Sequence, residues 1–230
     1  MIFNSPAKNA VEVDLDRLTK IIALRKGIPL EAECFTTLKD AILKIFLLER
    51  LISSVISRAK TPFDPSKDGH LLAELWRALN PGNEKVPPIP SEEWKELGFQ
   101  GDDPATDFRG MGLLGLDQLV SFATKSPKSA HNILQQSKYG SAWYSFAPVG
   151  INITALIYGW LVSHSADEYF YQVGPERTNF DAIYARVFET FNEYWVLEEA
   201  KDVMDFSRIF GKLRSDIEQN LAGSGRFFQD

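Results

Sequence analysis

Cysteine and histidine are scarce in this chain, which has one cysteine and three histidines among 230 residues. Cys34 alone cannot form an internal disulfide, and a thiolate metal site needs several ligands. His70, His131 and His164 lie far apart and form no H-x-x-x-H spacing. The sequence therefore predicts neither a disulfide framework nor a metal centre.

Basic residues are not in excess either, because 25 Lys and Arg stand against 31 Asp and Glu and give a net charge of −6. Proteins that bind nucleic acid draw most of their affinity from positive charge placed against phosphates. The composition therefore argues against a nucleic-acid partner.

Long apolar runs are absent apart from one uncharged segment, 146–163, which falls within a helix predicted over 144–165. Pro148 and Gly150 interrupt it, and a membrane-spanning helix needs about 20 predominantly apolar residues. We expect a buried core helix and no transmembrane segment. Residues 1–13 contain no apolar stretch behind a basic start, so we expect no secretory leader and a cytoplasmic protein.

Familiar catalytic motifs are also missing. The chain contains neither a G-x-x-x-x-G-K-[ST] phosphate loop nor a G-x-S-x-G nucleophile motif. Asp102 and Asp103 are adjacent carboxylates in a turn-rich segment, where such residues usually shape the turn or cap a helix. No intrinsic hydrolase site is predicted, and the residues leave open whether the chain acts as an enzyme.

Helical periodicity dominates what is present, and we find no strand ladder and no repeat. Apolar residues recur at three-and-four spacing over 12–26 and 30–59, with Thr36 and Thr37 as a candidate break. Ser66 is the expected N-cap of the next helix, over 67–79. We predict an all-α fold, a single compact multi-helix domain with the N-terminal amphipathic helices packed on it.

The predicted domain boundaries follow from these patterns. We place a helical domain at 12–222, which includes the N-terminal helices at 12–59. Residues 1–11 and 223–230 are predicted to be tails.

Residues 98–112 contain four glycines and no sustained period, which predicts a loop that turns tightly or approaches another segment closely. Arg109 lies in this loop, and a guanidinium offers a rigid fork of donors that suits phosphate. The alternative is an ion pair with Asp102, Asp103 or Asp107 that ties the loop together. Composition and spacing alone favour the ion pair.

A long motif surrounds this arginine. It reads Trp94-x-x-x-Gly98-Phe99-Gln100-Gly101-x-x-Pro104-x-Thr106-Asp107-Phe108-Arg109-Gly110-Met111-Gly112-x-Leu114-Gly115-Leu116-x-x-Leu119-x-x-Phe122. This run resembles the signature of the ELMO domain, in the ELMOD group of that family. The resemblance covers 60–215, and Ser121 departs from it where an aromatic residue is expected.

The resemblance implies a specific activity. ELMOD proteins are GTPase-activating proteins for Arf and Arf-like GTPases, and the arginine required within their motif corresponds to Arg109. We therefore expect an arginine finger supplied in trans. The partner would carry GTP and Mg²⁺, so the chain would need no cofactor of its own. Arf-family partners are lipid-anchored, which implies action at membrane surfaces through the partner.

The motif's other residues are expected to bind the partner or support the loop. They are Phe99, Gln100, Thr106, Asp107, Phe108 and Gly110. Among them, Asp107 is expected to orient the guanidinium or cap the turn, and Gln100 to hold the loop through its amide. Phe99 and Phe108 are expected to be loop anchors rather than partner contacts.

Two other functions stay open on this sequence. The chain could be a non-catalytic GTPase-binding module, with Arg109 as an ion pair or an interface contact. It could also be a scaffold that docks other proteins on its N-terminal helices, 12–59. Scaffold relatives in the same family lack the arginine, so its presence here favours activation.

Overall fold

The computed structural model describes residues 6–31, 33–83, 85–140 and 142–223. Every regular element in these ranges is helical, which confirms the all-α prediction. The α-helices are α1 (Pro6–Lys26), α2 (Glu33–Lys60), α3 (Pro65–Leu79), α4 (Gly112–Lys125), α5 (Pro127–Ser137), α6 (Phe146–Val162), α7 (Asp167–Val173), α8 (Arg177–Leu197) and α9 (Phe206–Gly223). Three 3₁₀ helices accompany them, at Glu92–Leu97, Pro104–Arg109 and Val203–Asp205.

Helix α4 forms the centre of the core. Its sequence is apolar on nearly every side, and buried residues run along it from Leu113 to Ala123. Helices α2, α3, α5, α6 and α8 all pack against it. A helix that is hydrophobic all round is stable only when it is enclosed. Because α4 begins at Gly112, its enclosure also fixes the end of the glycine-rich segment.

The N-terminal helices pack on the domain, with bounds that differ from those predicted. Helix α1 packs on α2 and begins at Pro6 rather than at residue 12. Helix α2 continues without a break through Thr36 and Thr37. Threonine costs a helix less than about 1 kcal/mol relative to alanine, so two of them do not end it. Residues 1–5 and 224–230, within the predicted tails, lie outside the described ranges.

The start of α3 corrects one prediction. Its N-cap is Asp64 rather than Ser66, because the Asp64 carboxylate accepts hydrogen bonds from the backbone nitrogen and hydroxyl of Ser66 at 3.0 and 2.6 Å. Pro65 is the first helical residue, where its missing N–H leaves no hydrogen bond unmade. The helix therefore starts two residues earlier than expected.

Helix α6 is the buried core helix that the apolar segment predicted, although it covers 146–162 rather than 144–165. Most of its side chains are buried, and it packs on α4 and α8. In the described part of the chain no single helix has the length and apolarity to cross a membrane. Helices α6 and α7 meet that test only as a pair bent by 91°.

Candidate functional site

Arg109 is the last residue of the 3₁₀ helix Pro104–Arg109. The prediction of an irregular loop throughout 98–112 is therefore wrong. Asp103 caps this turn by accepting a hydrogen bond from the backbone nitrogen of Ala105 at 3.0 Å, and Pro104 takes its first position. A 3₁₀ turn of this length is too short to leave a periodic pattern in the sequence. Arg109 thus extends from an ordered turn.

An aromatic chain holds this turn on the core. We use that term for Trp76, Trp94, Phe99, Phe108 and Phe63, in contact order. Phe99 and Phe108 are 3% and 1% exposed, and their ring centroids lie 5.8 Å apart. Phe108 also lies 5.5 Å from the ring of Phe63. Aromatic pairs contribute about 0.5–1.5 kcal/mol beyond area burial, so these two rings act as anchors rather than as free surface.

The side chain of Arg109 is exposed and has no hydrogen bond or ion pair with any described residue. Its three candidate partners are engaged elsewhere. Asp102 lies 2.7 Å from Lys95, Asp103 caps the turn, and Asp107 accepts from another backbone group. Within the described residues, the ion-pair interpretation of Arg109 is wrong. Its positive charge remains available to a ligand.

Asp107 closes the segment on itself. Its Oδ2 accepts a hydrogen bond from the backbone nitrogen of Gln100 at 3.2 Å. Burial raises the pKa of Asp107, while the hydrogen bond from Gln100 acts to lower it. Asp107 is therefore turned toward Gln100 and away from the guanidinium of Arg109, so of its two predicted roles the contact fits the one of closing the turn. Gln100 contributes its main chain to this contact, and its side chain is exposed.

Thr106 and Gly110 are the remaining predicted site residues, and both are exposed. The Thr106 hydroxyl donates to the carbonyl of Asp103 at 2.9 Å, inside the same turn. A Cβ added at Gly110 would meet no heavy atom within 4 Å. Thr106 precedes Arg109 by three residues and Gly110 follows it directly, and neither is hydrogen-bonded to it in the described part of the chain.

A pocket of about 150 Å³ lies beside Arg109. It is lined by Ala59, Lys60, Pro62, Phe63, Ala105, Phe108, Arg109 and Gly112. Lys60 and Arg109 are its charged members, and Lys60 is likewise exposed without a hydrogen bond or ion pair among the described residues. Sequence reasoning did not connect them, because Lys60 ends α2 and nothing in the linear pattern brings that helix to the motif.

Gly112 brings the end of α2 to this pocket. Its φ is +50°, and an added Cβ would lie 2.4 Å from the Thr61 carbonyl oxygen and 2.5 Å from that of Ala59. The Leu113 backbone nitrogen donates to the same Thr61 oxygen at 2.9 Å. Glycine alone tolerates both the left-handed conformation and this close approach.

The other glycines of the 98–112 segment divide into two kinds. Gly98 has a φ of +73°, and an added Cβ would lie 2.6 Å from the backbone nitrogen of Phe146. Gly101, like Gly110, has no heavy atom of a described residue within 4 Å of such a Cβ. The predicted close approach of the backbone thus holds at Gly98 and Gly112.

An ion pair that sequence reasoning missed secures α2 on α4 close to the pocket. Arg58 donates to Asp117 through Nε at 2.6 Å and through Nη2 at 2.7 Å. Arg177 of α8 lies 3.5 Å from Asp117 and 3.0 Å from Asp181. A bidentate pair of this kind fixes geometry as well as charge. The Arg58–Asp117 pair therefore holds the C-terminal end of α2 in place against α4.

Asp181 is the most enclosed carboxylate of this network, with its side chain 9% exposed. Burial alone raises its pKa, but the hydrogen bond from Lys125, the charge of Arg177 and hydrogen bonds from Gln118 and Ser121 outweigh that effect. The pKa of Asp181 is lowered as a result. The ionised carboxylate therefore contributes to the stability of the fold at neutral pH.

Within the described ranges no group of three or more His, Cys, Asp or Glu side chains could bind a metal ion. A cavity of about 250 Å³ is lined in part by Gln100 and Met204, and a shallower one of about 470 Å³ lies along α9 between Gly211 and Gln219. The geometry suits contact with one phosphate group or one side chain.

The fold and the site together define a class of protein, an all-helical domain that presents, on a buried aromatic anchor, an arginine with no partner among the described residues. The family model of the ELMO/CED-12 family matches residues 53–210, which include both the motif and Lys60. The chain belongs to this family, and the predicted resemblance is confirmed.

Known relatives support this assignment over most of the chain. ELMO domain-containing protein 1 of Pongo abelii is 35% identical over 241 aligned residues, which cover 93% of this chain and 74% of that protein. ELMO domain-containing protein 2 of Homo sapiens is 34% identical, with 92% and 74% covered. ELMO domain-containing protein B of Dictyostelium discoideum is 38% identical, with 79% and 64% covered. No solved structure matches the chain.

Proposed function

We propose that this protein accelerates GTP hydrolysis by a small GTPase of the Arf family, Arf or Arf-like, and supplies Arg109 in trans to the γ-phosphate. The observation that carries the proposal is the state of Arg109, which is exposed and unpaired among the described residues on a turn anchored by Phe108. Membership of the ELMO family and the resemblance to the ELMOD motif support the choice of partner.

The proposed role of Arg109 is electrostatic stabilisation of the transition state. As the γ-phosphoryl group leaves, negative charge develops on the β–γ bridging oxygen and on the γ oxygens, and a guanidinium can donate to both. An arginine supplied in trans is worth about 10³–10⁵ in rate. This corresponds to roughly 4–7 kcal/mol of transition-state stabilisation. In this proposal the GTPase holds GTP and Mg²⁺. The lipid anchor of the GTPase recruits this chain from the cytoplasm to membrane surfaces.

The test is single-turnover GTP hydrolysis on a panel of Arf and Arf-like GTPases with wild type and Arg109→Lys. Lysine keeps the charge but lacks the planar two-donor geometry, so the variant is expected to lose nearly all of the acceleration. Arg77→Lys is the matched control, because Arg77 is an exposed arginine on α3 that does not line the pocket. It should leave the rate unchanged.

Two results would overturn the proposal. One is an Arg109→Lys variant that is as active as wild type. The other is a wild-type chain that accelerates no member of the panel. If the chain then still binds a GTP-loaded GTPase, the non-catalytic binding or scaffold function replaces the proposed one.

A further inference from the structure

We infer that Lys60 is a second phosphate contact of this site, binding the nucleotide of a GTP-loaded partner from the pocket that it shares with Arg109. The inference rests on the proposed function and extends it from one side chain to two cations with different tasks. Lys60 lies at the C-terminal end of α2, outside the motif.

The first support is the charge state of the pocket. None of its described lining residues is acidic, and neither Lys60 nor Arg109 has a partner among the described residues. Nearby basic side chains, in contrast, form ion pairs: Arg58 binds Asp117 at 2.6 Å, and Lys67 lies 2.9 Å from Asp64. Two unpaired cations in one pocket of a chain with net charge −6 form a local site for an anion.

The second support is that the backbone around Lys60 is fixed. Arg58, two residues earlier, is held by its bidentate pair with Asp117. The carbonyls of Ala59 and Thr61, on either side, lie against Gly112. The position of Lys60 beside the arginine turn is therefore set by packing on α4 and not by a free linker.

The third support is the size and lining of the pocket. A volume of about 150 Å³ is too small for a whole nucleotide and suits one phosphate group, so base and ribose remain on the partner. Apolar walls from Pro62, Phe63 and Phe108 lower the local dielectric once a partner covers them, which strengthens a charge-assisted contact.

The two cations suit different stages of the reaction. Lysine is a point charge with three rotatable donors, which matches charge already present on the phosphates of bound GTP. The arginine fork matches charge that develops as the bond breaks. Lys60 should therefore govern the affinity for the GTP-bound partner, and Arg109 the maximal rate.

The experiment measures the affinity of wild type, Lys60→Gln and Lys60→Arg for an Arf-family GTPase loaded with GDP or with a non-hydrolysable GTP analogue. Lys60→Gln is expected to weaken binding of the analogue-loaded form by about tenfold and to change binding of the GDP form little. Lys60→Arg should restore most of the affinity, since it keeps the charge. Lys128→Gln removes the same charge from α5, away from the pocket, and should have no effect.

Single-turnover hydrolysis with the same variants separates the two proposals. Lys60→Gln should raise the concentration of the chain needed for half-maximal acceleration about tenfold, while the maximal rate falls far less than with Arg109→Lys. Equal losses for the GDP and analogue forms would mean that Lys60 contacts a carboxylate of the partner, and would overturn the inference. An unchanged affinity would overturn it too, with the proposed function left intact whenever wild type accelerates hydrolysis. A wild type that accelerates no GTPase would overturn both.

Discussion

Replacing Gly112 with alanine tests how the arginine turn, α2 and α4 are held together. The new Cβ would lie 2.4 Å from the Thr61 oxygen and 2.5 Å from the Ala59 oxygen, far inside van der Waals contact. Both neighbours are backbone atoms, which cannot rotate away as a side chain can. The end of α2 must therefore move off the start of α4, and the hydrogen bond from Leu113 to Thr61 must lengthen or break.

Three contributions set the size of the effect. A left-handed conformation costs an alanine about 1–2 kcal/mol. Loss of the hydrogen bond to Thr61 costs about 1 kcal/mol. Displacement of packed backbone adds about 1–3 kcal/mol. We expect Gly112→Ala to lower the free energy of unfolding by roughly 4 kcal/mol, which for a chain of this size lowers Tm by about 8–16 °C.

The assay is thermal unfolding followed by circular dichroism, with Gly110→Ala as the matched control. Gly110 is two residues away in the same motif, has a φ of −77°, and has no heavy atom within 4 Å of an added Cβ. Its alanine variant should melt within about 2 °C of wild type. Equal melting temperatures for the two variants would refute this reasoning, because Gly112 differs from Gly110 both in its close backbone contacts and in its left-handed φ.

Two further predictions concern the core. Because the pKa of Asp181 is lowered by folding, its carboxylate stabilises the protein above its ordinary value of 3.8, and this contribution is lost as pH falls through the lowered value. Asp181→Asn should therefore unfold at lower urea concentration than wild type at pH 7, and the gap should narrow at pH 3; a constant gap would contradict the linkage. Gly150→Ala places a Cβ 2.5 Å from the Tyr184 hydroxyl oxygen and should cost about 1–3 kcal/mol in overpacking. Gly159→Ala, in the same helix but with no described atom near the new Cβ, should be neutral or slightly stabilising in the same melting assay. Similar losses of melting temperature for Gly150→Ala and Gly159→Ala would count against the packing of α6 on α8.

The sequence predicted helices where periodicity was long and punctuation was strong. Helix α3 ends at residue 79 as predicted, because Pro81 and Gly82 follow it closely. The N-cap of α3 was harder to predict, since Asp64 and Ser66 are both good N-cap residues and only the folded structure distinguishes them. The 3₁₀ turn that carries Arg109 is too short to show a periodic pattern of apolar residues in the sequence.

The candidate site was predictable from the motif rather than from local physics. Three carboxylates close to Arg109 in sequence favoured an ion pair, yet Asp107 is turned toward Gln100 and Asp102 toward Lys95. Closeness in sequence does not determine the direction of a side chain. Lys60 could not be linked to the motif at all, because its position depends on the contact of α2 with Gly112.

In the proposed complex, the aromatic chain decides how much of the molecule must reorganise when Arg109 engages the GTPase. Opening the turn would expose Phe99 and Phe108, each of which contributes about 1.5–3 kcal/mol through burial, so the backbone of Arg109 moves with the core. The conformational entropy that this segment loses on binding is then that of the arginine side chain, about 2 kcal/mol, and not that of ordering a glycine-rich loop at about 1–2 kcal/mol per residue. The backbone at Arg109 is therefore rigid before binding, and any larger conformational change on binding would occur in the partner.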